Sequence, residues 1–256
     1  GLPGAEAFPI TELNEIINTA IAKYGSSVFQ YGNTEGHAPL RESICSLMKN
    51  TYGISPAPDN ILVSSGSQQA LYLLCKVMVN PGDSVITETP TFVGAISTFR
   101  SFMADIHTVN MDRYGMIPDE LEEKVNHLVS TGNKPEFIYT IPSIHNPTGV
   151  TMNTARRRDI YEIASRYNLM IVEDDPYGMI RYDNLRIKPV KHLDIDERVV
   201  YLGSFSKTIS PGLRTGWMAA QKEIARRCTI AKQGEDTCCN TLSQFIINDF
   251  IESGSI

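Results

Sequence analysis

The sequence predicts an α/β protein: a mostly parallel central sheet with helices on both of its faces. Three observations lead there. Short β-branched or apolar runs such as Ile61-Leu62-Val63, Phe137-Ile138-Tyr139, Leu169-Met170-Ile171-Val172 and Val199-Val200-Tyr201-Leu202 read as buried strands. Between them lie segments whose apolar residues recur three to four apart, the period of an amphipathic helix. The chemistry-bearing clusters follow the strands directly, at the carboxyl ends where open parallel sheets bind ligands.

Composition narrows the class. With 256 residues, 42% hydrophobic and 20% charged, the chain can bury a sizeable core and reads mainly as one large domain. A net charge of -6 argues against a nucleic-acid surface, which needs clustered Lys and Arg. The five cysteines (Cys45, Cys75, Cys228, Cys238, Cys239) are odd in number and lack CxxC spacing, so they read as reduced thiols of a cytoplasmic protein. No His or Cys stands at ligand spacing from the Cys238-Cys239 pair, so no metal is expected. No apolar run approaches ~20 residues and no signal-peptide pattern opens the chain, so neither a membrane span nor secretion is expected.

Taken in order, Gly1-Leu2-Pro3-Gly4 and Phe8-Pro9 form an extended opening, and Thr11 is placed to cap a helix running to Lys23 with Leu13, Ile16, Ile17, Ala20 and Ile21 as its stripe. A Gly-punctuated loop from Tyr31 to Arg41 opens a helix over residues 39–52, with Leu40, Ile44 and Leu47 on one side. The strand at Ile61 ends in Ser64-Ser65-Gly66-Ser67-Gln68-Gln69, which starts a helix carrying Leu71, Leu73, Leu74, Val77 and Met78. After the turn Asn80-Pro81-Gly82-Asp83, a strand over residues 84–87 leads to Phe92, followed by a helix over 93–102, a strand over 105–109 and a helix over 118–129. The strand over residues 137–142 runs into His145-Asn146-Pro147-Thr148-Gly149. A helix over residues 154–167 turns Ile160, Ile163 and Ala164 inward and Arg156, Arg157 and Arg158 toward solvent. The strand over 169–172 ends in Glu173-Asp174-Asp175-Pro176-Tyr177, and the strand over 198–202 ends in the loop of Lys207. A strand over 217–220 and helices over 222–231 and 240–251 complete the chain, without internal repeats.

Three of these strand ends carry chemistry on their own terms. In Gly203-Ser204-Phe205-Ser206-Lys207, Ser204 and Ser206 can donate hydroxyl hydrogen bonds and Arg214 can fork onto a phosphate, which leaves the Lys207 amine for a carbonyl. That suits a phosphorylated aldehyde. Gly66 lets backbone approach a ligand, and the first N-H groups of the following helix, at Ser67 and Gln68, point at an anion there. The carboxylates after the strand over 169–172 are costly to bury without partners, and either Asp174 or Asp175 could take one.

These stretches, "QYGNTEGHAPLR", "SSGSQQAL", "HNPTG", "EDDPYG" and "GSFSKTISPGLRTGW", resemble the fold-type I pyridoxal-phosphate-dependent aminotransferases, closest to the branch of 2-aminoadipate and aromatic aminotransferases. The resemblance covers essentially the whole chain. It implies a homodimer that moves an amino group from an amino acid to a 2-oxo acid through a Schiff base on Lys207, the general base of the proton shift. It further implies that Gly66, Ser67, Gln68, Ser204, Ser206 and Arg214 hold the cofactor phosphate and that Asp174 takes the ring nitrogen. Asn146 and Tyr177 would take the phenolic oxygen, Phe92 would stack on the ring, and Tyr31 would reach the phosphate of a neighbouring subunit's cofactor. The D-x-x-Y spacing to Tyr177 favours Asp174 over its neighbour Asp175. To act as a base Lys207 must be neutral, so its amine should titrate below the ~10.4 of free lysine.

The same likeness divides the chain into an N-terminal extended segment and helix (residues 1–30) and a cofactor-binding large domain (residues 31–256) of a longer protein, with the small C-terminal domain missing. Two other functions fit the same motifs. One is the ligand-sensing domain of a winged-helix transcription regulator; the other is a lyase or racemase reaction on the same scaffold.

Overall fold

A computed structural model describes residues 3, 4, 6, 8–180 and 187–254, so Gly1-Leu2 of the extended opening and the terminal Ser255-Ile256 lie outside the described residues. In chain order the helices and strands are α1 (Ile10–Tyr24), α2 (Ala38–Tyr52), β1 (Ile61–Ser64), α3 (Ser67–Met78), β2 (Ser84–Thr89), α4 (Val93–Ser101), β3 (Asp105–Asp112) and β4 (Gly115–Met116). They continue with α5 (Pro118–Ser130), β5 (Phe137–Thr140), α6 (Thr154–Arg166), β6 (Met170–Asp174), β7 (Val199–Ser204), β8 (Gly216–Ala219), α7 (Lys222–Gln233) and α8 (Thr241–Glu252). The chain forms two compact units, Leu71–Leu202 and the combination of Gly1–Ala70 with Gly203–Ile256, and passes from one to the other inside α3 and inside β7.

Within the unit Leu71–Leu202, β2 pairs in parallel with β3 and β5, β5 with β6, and β6 with β7, while β4 folds back antiparallel on β3. One rung explains why this sheet needs cover on both sides. Ile86, Ile138, Ile171 and Val199 are in register across four strands and share a buried cluster with Leu121, Val125 and Leu128 of α5 and Ile160, Ile163 and Ala164 of α6. Side chains alternate along a strand, so Phe137 and Tyr139 face the other way. There Phe99 of α4 packs on both, with ring centroids 5.7 and 5.5 Å apart. Strands buried on two faces read as the continuous apolar runs seen in the sequence. The two-residue β4 carries no periodic signal at all.

One expectation fails in this unit. Arg157 is not part of a solvated face: only 1% exposed, it donates to the carbonyls of Met152 (3.0 Å) and Pro142 (2.9 Å) and to Ser143 Oγ (3.1 Å). Arg156 is also occupied, donating to the Met116 carbonyl at 2.6 Å and pairing with Asp112 at 2.9 Å. Three arginines in a row look alike in sequence, but the turn of a helix sends consecutive side chains in different directions.

Within the other unit, β1 pairs antiparallel with β8, from Ile61↔Ala219 to Ser64↔Gly216. This pair is antiparallel, whereas β2, β3, β5, β6 and β7 of the first unit run parallel to their neighbours among themselves. Helix α8 packs against α1 and α2, with Ala20, Val28 and Phe245 buried together. Helix α1 begins at Ile10 with Pro9 at the cap position, not at Thr11. Proline lacks the N-H that would otherwise go unpaired and has its φ preset, so the helix starts a residue or two earlier than a hydroxyl cap would dictate. All five cysteines are free thiols. Among the described residues, no helix is long and apolar enough to cross a membrane.

Candidate active site

In the unit containing Lys207, the end of β1 is shaped into a cup. Gly66 adopts φ 83°, the left-handed region open chiefly to glycine, and Ser64 Oγ donates to its carbonyl at 3.0 Å. That same carbonyl accepts from the N-H groups of Gln69 (3.2 Å) and Ala70 (3.4 Å), which starts α3. The N-H groups of Ser67 and Gln68 precede this ladder and are the donors a helix N-terminus offers an anion. Arg214 joins them: its Nη2 donates to the Ser65 carbonyl at 3.1 Å, and a Cβ on Gly66 would stand 2.8 Å from the same nitrogen. The antiparallel pairing explains the meeting, because β8 enters at Gly216, opposite the Ser64 where β1 leaves.

The loop between β7 and β8 carries the amine. Ser204 Oγ accepts from the Ser206 N-H at 3.2 Å, and both serines are buried. A 3-10 turn over Pro211–Leu213, capped by Ser210 Oγ accepting from the Gly212 N-H at 3.3 Å, delivers Arg214 in a left-handed conformation, φ 48°. Lys207 is partly buried. That burial first, and the Arg214 charge second, lower its amine below the ordinary 10.5. Tyr31 is 81% exposed, with its backbone N-H bonded to Gln30 Oε1 at 2.9 Å.

In the unit Leu71–Leu202, Asp174 ends β6 with only 5% exposure, and Tyr139 Oη donates to its Oδ2 at 2.7 Å. Burial above all, then the Asp174 charge, holds the Tyr139 phenol well above 10, so it stays a donor. Strand alternation separates the acidic run. Glu173 points to the opposite face from Asp174, where it accepts from the N-H groups of Val190 (2.7 Å) and Lys191 (2.8 Å) and lies 3.7 Å from Arg157. Burial and the Asp175 charge push Glu173 up to about 7. Asp175 accepts from Tyr201 Oη at 3.1 Å, and Arg157 opposes the upward push that burial gives it. Glu173 and Asp175 thus share the charge of Arg157, which leaves Asp174 on its own face with Tyr139.

Tyr177 is half-buried, and burial followed by the Asp174 charge raises its phenol. Asn146 lies in a turn after β5 and forms a cis bond with Pro147. Buried His145 braces that turn. Its N-H donates to the Val150 carbonyl (2.7 Å), its carbonyl accepts from the Gly149 N-H (2.6 Å), and its ring nitrogens lie 2.9 Å from Thr148 Oγ1 and 3.4 Å from Glu88 Oε2. Glu88, fully buried, also accepts from Thr140 Oγ1 at 2.5 Å. Phe92 sits partly buried at the cap of α4.

The structure therefore gathers Gly66, Ser67 and Arg214 into one cup, and sets Lys207 where the Arg214 charge acts on it. It places Tyr177 where the Asp174 charge acts on its phenol. The sequence alone does not single out Tyr139 or Glu88; only the inward parity of Tyr139 on β5 points to the first.

A cup of helix N-terminal N-H groups and an arginine whose charge acts on a nearby lysine, and a buried aspartate held by a tyrosine at a parallel strand's end, are the equipment of a pyridoxal-phosphate protein. The chain belongs to the class I and II aminotransferases, whose family description matches residues 5–246. It is 43% identical over 254 residues to aromatic-amino-acid aminotransferase 1 of Thermococcus litoralis, covering 99% of this chain and 61% of that protein. It is 34% identical to the 2-aminoadipate transaminase of Thermus thermophilus, covering 99% and 62%. The crystal structure of Pyrococcus horikoshii kynurenine aminotransferase, in complex with PMP, KYN as substrates and KYA as products, superposes with a TM-score of 0.96 at 41% identity, over all of this chain and 63% of that one. The chain thus spans about six-tenths of the length of these relatives.

Proposed function

We propose that the protein is a pyridoxal 5'-phosphate-dependent aminotransferase that moves an amino group from an amino acid to a 2-oxo acid, with Lys207 as its proton-carrying base. The residues fit the cofactor in kind. Gly66 leaves open a cradle that any Cβ would close against Arg214 at 2.8 Å, and a buried carboxylate with a fixed donor stands at Asp174. When bound, pyridoxal phosphate supplies an aldehyde for the substrate amine and a protonated ring that withdraws electrons from the substrate Cα. The Ser67 and Gln68 N-H groups, Ser204, Ser206 and Arg214 bind the phosphate and fix the ring's position. Asp174 would hold a proton on the ring nitrogen, and Tyr139 keeps that carboxylate oriented. Asn146 and Tyr177 would hold the phenolic oxygen, and Phe92 would cover one ring face. Lys207 Nζ, its basicity lowered by partial burial and then by the Arg214 charge, would take the proton from the substrate Cα.

The cup that Gly66 and Arg214 form at the start of α3, in the same unit as the Lys207 loop, is the observation that carries this proposal. Titrating purified protein with pyridoxal phosphate should develop a visible absorbance band that Lys207→Ala abolishes. Failure of wild-type protein to show any such band would overturn the assignment.

The same proposal includes a homodimer in which Tyr31 reaches the phosphate bound by the partner. Its 81% exposure supports a role outside its own subunit. Tyr31→Phe should weaken cofactor binding only where the dimer forms, which sedimentation across the dimer's concentration range would separate.

A further inference from the structure

Ser65, which none of the motifs singles out, is held at three of its polar atoms. Its carbonyl accepts from Arg214 Nη2 (3.1 Å), its N-H donates to Gln69 Oε1 (2.7 Å), and its Oγ donates to Cys239 Sγ (3.7 Å). Behind these contacts stands a buried charge. Lys232 is 0% exposed, and its Nζ is 2.5 Å from Asp236 Oδ1; Asp236 Oδ2 accepts from Gln69 Nε2 at 2.7 Å. The polarity of this chain is fixed from its far end. An ionised carboxylate only accepts, so Gln69 must turn its amide nitrogen to Asp236 and its oxygen to Ser65. Lys232 also acts on Cys239, countering the rise that burial gives the thiol, and Cys239 Sγ donates to the Val63 carbonyl at 3.5 Å.

A buried lysine is costly to desolvate and needs a reason to be there. We propose that Lys232, Asp236 and Gln69 form a positioning relay that fixes Ser65, so that Arg214 and the Ser67 and Gln68 N-H groups stay aimed at one phosphate. The relay rests on the proposed cofactor binding and adds to it residues that never touch the ligand. A one-ångström drift of Ser65 would move the acceptor that anchors Arg214 and the start of α3 together, because Gly66 and Ser67 follow it in the chain.

The test separates the phosphate from the ring by titrating each protein with pyridoxal 5'-phosphate and with unphosphorylated pyridoxal. Gln69→Met keeps length and flexibility but removes both hydrogen bonds. Asp236→Asn keeps an acceptor for Lys232 but turns an amide nitrogen toward Gln69, reversing the chain's polarity; it serves if the first variant folds poorly. Each should weaken pyridoxal phosphate by about tenfold, the worth of one to two hydrogen bonds, while pyridoxal changes by less than about twofold. Losses in both ligands in step, or in neither, would show that the relay is only structural or idle. Wild-type protein that binds the two ligands equally would instead overturn the phosphate cup itself.

Discussion

Gly216 carries a sharp test of the cup. It opens β8 directly beneath the start of α3: an ideal Cβ there would lie 2.8 Å from the Gly203 carbonyl oxygen, the Gly66 carbonyl carbon and the Ser67 nitrogen. All three are backbone atoms, so none can rotate away. Ordinary contact begins near 3.4 Å, so Gly216→Ala forces them back by roughly 0.6 Å. Overpacking of this kind costs about 1–3 kcal/mol. If the protein absorbs the cost globally, the melting temperature falls by roughly 2–12 °C. If Ser67 gives way instead, the cost falls on phosphate affinity, as a loss of roughly 5–150-fold. Differential scanning fluorimetry and a pyridoxal phosphate titration read the two shares. Gly234→Ala is the control, because its Cβ meets nothing closer than the Ala231 carbonyl at 3.8 Å and its φ is an ordinary -81°. That variant should be neutral or slightly stabilising. A Gly216→Ala protein that melts and binds like wild type would refute the placement of this strand under the cup.

Tyr139→Phe removes the 2.7 Å donor to Asp174 at almost constant volume; a hydrogen bond to a charged acceptor is worth about 1.5–3 kcal/mol, so turnover should fall by roughly 10–150-fold with little change in cofactor affinity. An unchanged kcat would remove Tyr139 from the chemistry. Arg214→Gln deletes one of the two influences that depress Lys207, so the amine should titrate at higher pH than in wild type, closer to 10.5. NMR of isotopically labelled lysine in cofactor-free protein reads that shift directly, and a shift to lower pH would reverse the assignment of cause. The sign for stability is equally definite: between the folded value and 10.5 the folded chain holds fewer protons at Lys207 than the unfolded chain, so this group makes stability rise with pH. Arg157→Met leaves Glu173 and Asp175 buried without their shared cation and should cost about 3–5 kcal/mol, more at pH 8 than at pH 5, since the higher pH demands that both carboxylates ionise. Urea melts at the two pH values check it; equal losses at both would contradict the shared-charge arrangement.

The strand ends were legible in the sequence because two signals coincide there: a buried run that must end, and polar residues that a buried sheet would otherwise exclude. Gly66, Asp174 and Lys207 each follow such a run within a few residues. What joins these residues to their supports was not legible, because it depends on strand parity and on neighbours far away in the chain. Tyr139 meets Asp174 across 35 positions, and Gln69 meets Asp236 across 167. Arg157 looked like its neighbours until the helix turned it inward.

The direction of β8 is the least legible feature and the one on which the cup depends. A steady alternation of strand and helix predicts a parallel sheet, and nothing in Gly216-Trp217-Met218-Ala219 contradicts it. Had β8 run parallel to β1, its entry would stand at the other end of the four-residue ladder, three steps and roughly 10 Å away at ~3.3 Å per residue. Arg214 would then have left Ser65 out of reach, and an arginine seven residues beyond Lys207 would have had no claim on the same anion. The short connection from β7 makes the reversal possible. The Pro211–Leu213 turn and the left-handed Arg214 bring the chain around within a single loop, and the Phe205 N-H bonds the Thr215 carbonyl at 3.1 Å as the two strands meet. The Pro211-Gly212 signal therefore does more than interrupt a helix: it sets the hand of the return, and the return aims the arginine.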